Sequence, residues 1–498
     1  MPVRWSSSVA LAAAGLLLVL YAALCKAFLF HGLEYTHTDF FSFVEMSRSL
    51  FETGELLRDN VYGRHAAIHN YYLLIPFSPL MLAFGAYGLT LSLVLLHAAA
   101  VLRIASASSF DLPGRVAVLG GYLTPIAYAV FDDPGFGFHT ELWYPPLCVL
   151  LALDLREGRS RRAILVAALM LLVKEDGAVL CACVLVAHYA LRLSELRGAP
   201  RDAWRPVATA AAWSLVATVV AFAAGMALLW VMGRALPQPQ ETAELRIVDA
   251  LRNVGHAIAG RGRLRDNLTW GLAGYAGVGV LTLLPLGRRL WRGLALLLVS
   301  SPPLLAVLLV SAGTYRFRYM LWPHRLAALS ALAAACLVLV FPSVVSGRRA
   351  WLRVAAILAL TWTAQLVALE RAEGYSARAR LDAHALARGE GTRAASMAPE
   401  ELRFLRCLGD RLPRGLPVSA FGDLHPVFHH QSIVFDARAQ YARHAPKLRV
   451  VPAASVGASQ EAGFCRVPGP GALGVLAECG LVPFVEGCRQ EVPEPARR

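Results

Sequence analysis

The chain has 498 residues, 57% of them hydrophobic and only 16% charged, with a mean hydropathy of +0.51. A water-soluble chain carries about 25% charged residues, so the composition excludes an ordinary soluble protein. The net charge of +14 does not indicate nucleic acid, because the arginines cluster in short joints between apolar runs, as the positive-inside rule distributes them.

The long apolar runs read as a polytopic all-α membrane protein. Eleven crossings are expected, at about 8–30, 87–105, 115–131, 142–155, 163–173, 177–191, 206–232, 270–286, 294–312, 324–342 and 350–369. A spanning helix needs about 20 apolar residues, and the first run reads as an uncleaved anchor. Arg4 and the basic joints at 103–115, 156–162, 192–205, 287–293 and 347–353 are assigned to the cytoplasm. An even number of crossings must then separate neighbouring joints. The resulting topology is a membrane domain, 1–369, with its N-terminus inside, and an extracytoplasmic domain, 370–498. The apolar segment 71–86 contains Pro76 and Pro79 and would break the parity as a crossing, so it is read as embedded on the outer face.

The first outer loop, 31–86, opens with "EYTHTDFFSFVEMSRSL". Phe40, Phe43, Val44, Leu50 and Phe51 recur at nearly helical spacing and predict an amphipathic helix lying on the membrane. Thr38 or Asp39 can cap its start. Asp39 can instead be a carboxylate held beside the first helix, placed to take a proton from a hydroxyl or to bind a metal. His65 and His69 stand at i, i+4, a metal-capable spacing without an evident third ligand.

The next outer loop, "FDDPGFGFHTELWYPPL", crowds Asp132, Asp133, His139 and Glu141 into ten residues. Turn formation explains part of this, and substrate or divalent-metal binding is the alternative. Lysine occurs only at 26, 174 and 447, so "VKEDG" at 173–177 is a pointed exception. Charges at mid-bilayer cost roughly 2.5–3.5 kcal/mol each on insertion scales. Parity resolves the cost by making 163–191 two short passes, with Lys174, Glu175 and Asp176 at an apex lining an outward-facing, water-filled hollow. A Lys–carboxylate knot that merely holds the turn is the plainer reading. Further on, "TYRFRYMLWPHR" places Arg316, Arg318 and Arg325 on the outer side, against the charge rule, where arginine forks suit a phosphate-bearing lipid.

The tail predicts a small α/β domain, with a helix at "ELRFLRCLGDRL" and strands at "PVSAFG", "SIVFD" and "LRVVPA". Cys407, Cys465, Cys479 and Cys488 lie here, where an oxidising compartment permits disulfides. The cysteines up to Cys336 read as small core residues. His425, His429 and His430 are close together but make a weak metal motif.

The stretches "FGFHTELWYPPL" and "LLVKEDGAVL", with "TDFFSFVEMSRSL", "HNYYLLIPFSPL", "YRFRYMLWP" and "LPVSAFGDLHPVFHHQSIVF", resemble a bacterial multi-pass membrane protein family known as domain of unknown function 2079. That family in turn resembles the GT-C glycosyltransferases, which use sugars carried on polyprenyl phosphate. The resemblance implies sugar transfer from a polyprenyl-phosphate donor, with an acidic residue of the first outer loop, here Asp39, near the acceptor. Lys174, Arg316 and Arg318 would then face the phosphate, while Glu175 and Asp176 orient Lys174 or the acceptor. His69, Asp132, Asp133, His139 and Glu141 would contribute to substrate binding, and Asp132, Asp133 or Glu141 could hold a divalent metal. Membrane lipids are the other expected partners, and the inner membrane is the expected location. A transporter or lipid flippase, also built with intramembrane charges, is the rival from another class, and a structural or sensory protein is a third.

Overall fold

The computed structural model describes residues 6–234, 273–274, 276–305, 323–345, 349–371, 375–435, 442–456 and 463–491. The helices fall close to the expected runs: α1 (Ser7–His31), α2 (Thr38–Thr53), α3 (Leu74–Phe84), α4 (Tyr87–Ala105), α5 (Leu112–Tyr122), α6 (Pro125–Asp132), α7 (Tyr144–Arg156), α8 (Ser160–Val173), α9 (Gly177–Glu195) and α10 (Arg201–Arg234). They are followed by α11 (Leu290–Ser300), α12 (Pro323–Val340) and α13 (Ala350–Glu370). Among the described residues, five helices are long and apolar enough to cross a membrane, and a sixth span forms if α5 and α6 count as one. The runs expected at 270–286 and 294–312 lie partly outside the described residues.

The run 115–131 is not one helix. Thr124 accepts the Ala127 N–H at 3.3 Å and caps α6, and Pro125 occupies its first turn. Together they bend the chain by 43°. A proline has no N–H to give to the preceding turn and fits best at a helix start.

The core of the bundle is the contact of α7 with α12. Small side chains on α12, including Ala327, Ala331, Ala335 and Cys336, are fully buried. Small residues let helix backbones approach closely where lipid supplies no hydrophobic drive between helices. Cys25, Cys148, Cys181, Cys183 and Cys336 are buried and free, as expected of core residues.

The first loop is covered by the tail instead of lying open on a membrane. Phe40, Phe43 and Val44 of α2 are buried, and only Leu50 and Phe51 of the expected apolar stripe are exposed. The Phe41 ring packs edge-on to His425 at 5.7 Å. Glu45 accepts the Ile433 N–H at 2.8 Å, while the Asn60 side chain donates to Ser432 and to the Ile433 carbonyl. Within the loop, β1 (Arg58–Asp59) pairs with β2 (Gly63–Arg64).

The tail contains α14 (Pro399–Arg411), α15 (Val482–Gln490) and five strands: β3 (Pro417–Ala420), β4 (Ser432–Ile433), β5 (Leu448–Pro452), β6 (Phe464–Pro468) and β7 (Leu473–Glu478). Their order is β4-β3-β5-β7-β6, with β3 parallel to β4 and β5, and β7 antiparallel to β5 and β6. Disulfides join Cys407 to Cys488, linking α14 to α15, and Cys465 to Cys479 beside the β6–β7 pair. The last two strands had no counterpart in the sequence reading.

Candidate functional site

Four pieces of chain meet at one end of the bundle: the start of α2, the 133–143 loop, the break between α8 and α9, and the 59–73 part of the first loop. Each is brought there by a local feature of the sequence.

Asp39 lies in the first turn of α2 but does not cap it, and neither does Thr38. The cap is His37, whose Nδ1 accepts the Asp39 N–H at 3.3 Å. The Asp39 carboxylate is thereby left for other partners. Its Oδ2 is 3.5 Å from His139 Nε2 and 3.6 Å from His37 Nδ1. Its Oδ1 finds no hydrogen-bond partner among the described residues. On the far side of the imidazole, Asp133 Oδ2 is 2.7 Å from His139 Nδ1. Asp133 ends α6 in the left-handed region, at φ 49°, and is fully buried. Gly137, at φ 81°, lets the loop return, because a Cβ there would fall 2.6 Å from the Tyr35 ring.

The charges follow from this geometry. Burial pushes the Asp39 pKa up, but the hydrogen bond and charge of His139, with His37 behind them, outweigh it and hold the carboxyl at about 2. Burial alone would lower the His139 pKa. Asp133 foremost, joined by Asp39 and Glu141, outweighs it and pushes the imidazole up to about 9. Near neutral pH an imidazolium therefore sits between two carboxylates.

The break at 174–176 is where the sequence placed it, between α8 and α9. Lys174 is extended, and its carbonyl accepts the Gly177 N–H at 2.9 Å. A Cβ on Gly177 would fall 2.0 Å from the Met170 carbonyl oxygen, so this turn requires glycine. The three charges do not form a knot among themselves. Lys174 Nζ donates to Glu141 Oε1 at 2.6 Å, Glu175 Oε1 meets His69 Nδ1 at 2.6 Å, and Asp176 accepts from the Tyr144 hydroxyl. The apex thus ties the first loop and the start of α7 to the α8–α9 turn. The Leu73 N–H adds a bond to the Leu172 carbonyl at 2.7 Å.

The sequence reading missed Asp59. Its Oδ2 is 2.6 Å from His65 Nδ1 and 2.8 Å from Ser42 Oγ, and its Oδ1 accepts the Val61 and Tyr62 N–H groups. The Asp-Asn start of the 59–63 turn is the available signal. His65 and His69 stack at 5.8 Å but turn to different carboxylates, Asp59 and Glu175, instead of toward one shared metal.

Asp132 is separated from the cluster by facing the tail. It accepts from the Tyr35 hydroxyl and from Arg380, whose second contact is 3.2 Å. Lys26 donates to the Phe131 and Asp132 carbonyls at 2.7 and 2.8 Å, closing the end of α6. The suggested metal set of Asp132, Asp133 and Glu141 therefore does not fit a cation, since each carboxylate turns to a different basic partner. No group of three His, Cys, Asp or Glu side chains among the described residues could hold a metal ion. Arg316 and Arg318 lie outside the described residues, and nothing is described of the Arg325 side chain.

Chemically, an ionised carboxylate with one unpartnered oxygen can orient a hydroxyl and receive its proton. The neighbouring Lys174 ammonium supplies positive charge for an anionic group.

Comparison with known proteins bears on this site only through the fold. A family model described as "Predicted membrane protein (DUF2079)" matches residues 42–367. The crystal structure of ArnT from Cupriavidus metallidurans bound to undecaprenyl phosphate is similar at a TM-score of 0.50 and 13% identity. The similarity covers 94% of this chain and 98% of that one. No curated protein sequence matches.

Proposed function

The chain belongs to the DUF2079 family of predicted membrane proteins, and from that membership, its GT-C-like multi-pass fold and its charged site we propose that it transfers a sugar from polyprenyl phosphate to an acceptor hydroxyl. The reaction is assigned to the outer face of the inner membrane, with the N-terminus in the cytoplasm and the tail outside. The undecaprenyl phosphate bound by the similarly folded ArnT supports the choice of donor class. The two tail disulfides support an oxidising compartment for the tail.

The observation that carries the reading is Asp39, held ionised by His139, with its buried Oδ1 left without a hydrogen-bond partner among the described residues. In the transfer, the acceptor oxygen forms a bond to the anomeric carbon as the bond from that carbon to the phosphate oxygen breaks. The electron pair leaves with the phosphate, and the acceptor proton passes to Asp39. A carboxylate with a pKa of about 2 is a weak base toward a neutral alcohol. It is adequate here because the attacking oxygen becomes an oxonium, far more acidic than a carboxylic acid, as the new bond forms. His139, fixed by Asp133, keeps Asp39 charged and aimed until then. Lys174 offsets the charge growing on the departing phosphate, and Glu141 holds its ammonium in place. Arg316 and Arg318 are assigned to the same phosphate.

The test is purified protein in proteoliposomes with a radiolabelled sugar on polyprenyl phosphate and a membrane extract as the acceptor source. The expected result is label in a covalent product, abolished in Asp39→Asn. Movement of label across the bilayer without a product would instead identify a carrier and overturn the enzyme reading.

A further inference from the structure

The opposite end of the same helices carries an arginine-lined cavity of about 540 Å³. From the candidate site, α7 runs 13 residues to Arg156, about 20 Å, and α9 runs 19 residues to Glu195, about 28 Å. The cavity is therefore a distinct place, on the other side of the bundle. Its volume suits a small ligand or a lipid headgroup.

Arg156, His188, Arg192, Arg289 and Arg292 line it. They come from three joints that are far apart in sequence. The positive-inside rule puts arginine on one side of a membrane but does not require the joints to converge on one hollow.

Arg156 is already committed. Its Nη1 donates to the Val338, Leu339 and Phe341 carbonyls and its Nη2 to Ser343 Oγ at 2.9 Å, closing the end of α12. Arg192 pairs with Glu195 at 3.3 Å, with both side chains exposed. Among the described residues Arg289 reaches only the Val340 carbonyl, at 3.4 Å. Arg292 makes no hydrogen bond or ion pair among the described residues, and it stands in the first turn of α11, three residues after Arg289 at the N-cap. The balance stays positive, with four guanidinium groups facing one carboxylate and the C-termini of α7, α9 and α12, each worth roughly half a charge. Beside Arg292, Trp291 is 79% exposed, and tryptophan so placed marks the headgroup level of a bilayer.

We propose that this cavity binds a phosphate ester, with Arg289 and Arg292 as its fork and Arg156 as its anchored floor. Guanidinium groups bind phosphate oxygens in pairs, and basic pockets between membrane helices hold anionic headgroups. The same chemistry is offered by an anionic phospholipid or by a soluble phosphate ester. The proposal does not depend on the transfer reaction.

The experiment is native mass spectrometry of the full chain in detergent, titrated with dioleoylphosphatidylglycerol in the presence or absence of glycerol 1-phosphate. One saturable lipid adduct is expected, with apparent affinity at least about ten-fold lower in R289A/R292A and only partly restored in R289K/R292K, which returns the charge without the fork. Failure of glycerol 1-phosphate to compete supports the proposal with a lipid as the ligand. Displacement by it, or its own saturable arginine-dependent adduct, supports the proposal with a soluble ester. Should the double alanine variant not fold, Arg292→Gln removes an exposed side chain without structural partners. Occupancy by both probes that is unchanged in the folded variant overturns the proposal.

Discussion

Replacing Asp133 with Asn keeps the shape beside His139 but removes the charge. In the native protein the imidazole is raised from 6.5 to about 9 although burial opposes it. At about 1.4 kcal/mol for each tenfold change in proton affinity, this corresponds to roughly 3 kcal/mol of net coupling. The His139 side chain is only 9% exposed, so solvent screening removes little of it. A group whose folded pKa is raised contributes stability that is fully present below its unfolded value and lost as pH rises through the folded one. The native protein should therefore lose up to about 3 kcal/mol between pH 6.5 and 9. In Asp133→Asn, burial then dominates, and the imidazole should titrate at or below 6.5 with most of that slope gone. Titration of isotopically labelled histidine by NMR reads the first quantity, and reversible unfolding of the detergent-solubilised protein against pH reads the second. A His139 that titrates near 6.5 in the native protein, or near 9 in Asp133→Asn, would refute the reasoning.

Lys174→Ala should destabilise by about 3–5 kcal/mol, because Glu141 is left largely buried without its cation. Glu141→Ala added to it should recover part of the loss, and a double-mutant cycle in unfolding free energy measures the coupling; strict additivity would contradict the pair. Gly177→Ala forces a Cβ against the Met170 carbonyl and should cost about 1–3 kcal/mol, seen as a lower melting temperature. Arg380→Ala leaves the fully buried Asp132 without its guanidinium. It should loosen the tail from the bundle, detected as faster proteolysis within 375–383 with the sheet still protected; an unchanged cleavage rate would count against the clasp. Glu45→Gln turns an amide toward the Asn60 and Ile433 donors and should weaken docking of the tail by about 1–3 kcal/mol, measured by hydrogen exchange at 432–433.

The sequence by itself determined the membrane class, most helix positions, the break at 174–176 before Gly177, the burial of the five cysteines up to Cys336 and the tail's first helix. These are local properties: the length of an apolar run, the cost of a charge in lipid, the period of a helix. Asp39, Asp133, His139 and the three apex charges were legible as candidates because ionisable groups are expensive in or beside a bilayer. Their partners were not legible. Lys174 pairs with Glu141 instead of its adjacent carboxylates, Glu175 reaches His69, and Asp132 turns to Arg380, 248 residues away. Only the tertiary structure decided these pairings, since an ion pair depends on which elements pack within a few ångströms of each other, and sequence neighbours on a turn point apart. The same holds for His37 replacing Thr38 or Asp39 as a cap, and for three distant basic joints meeting in one cavity.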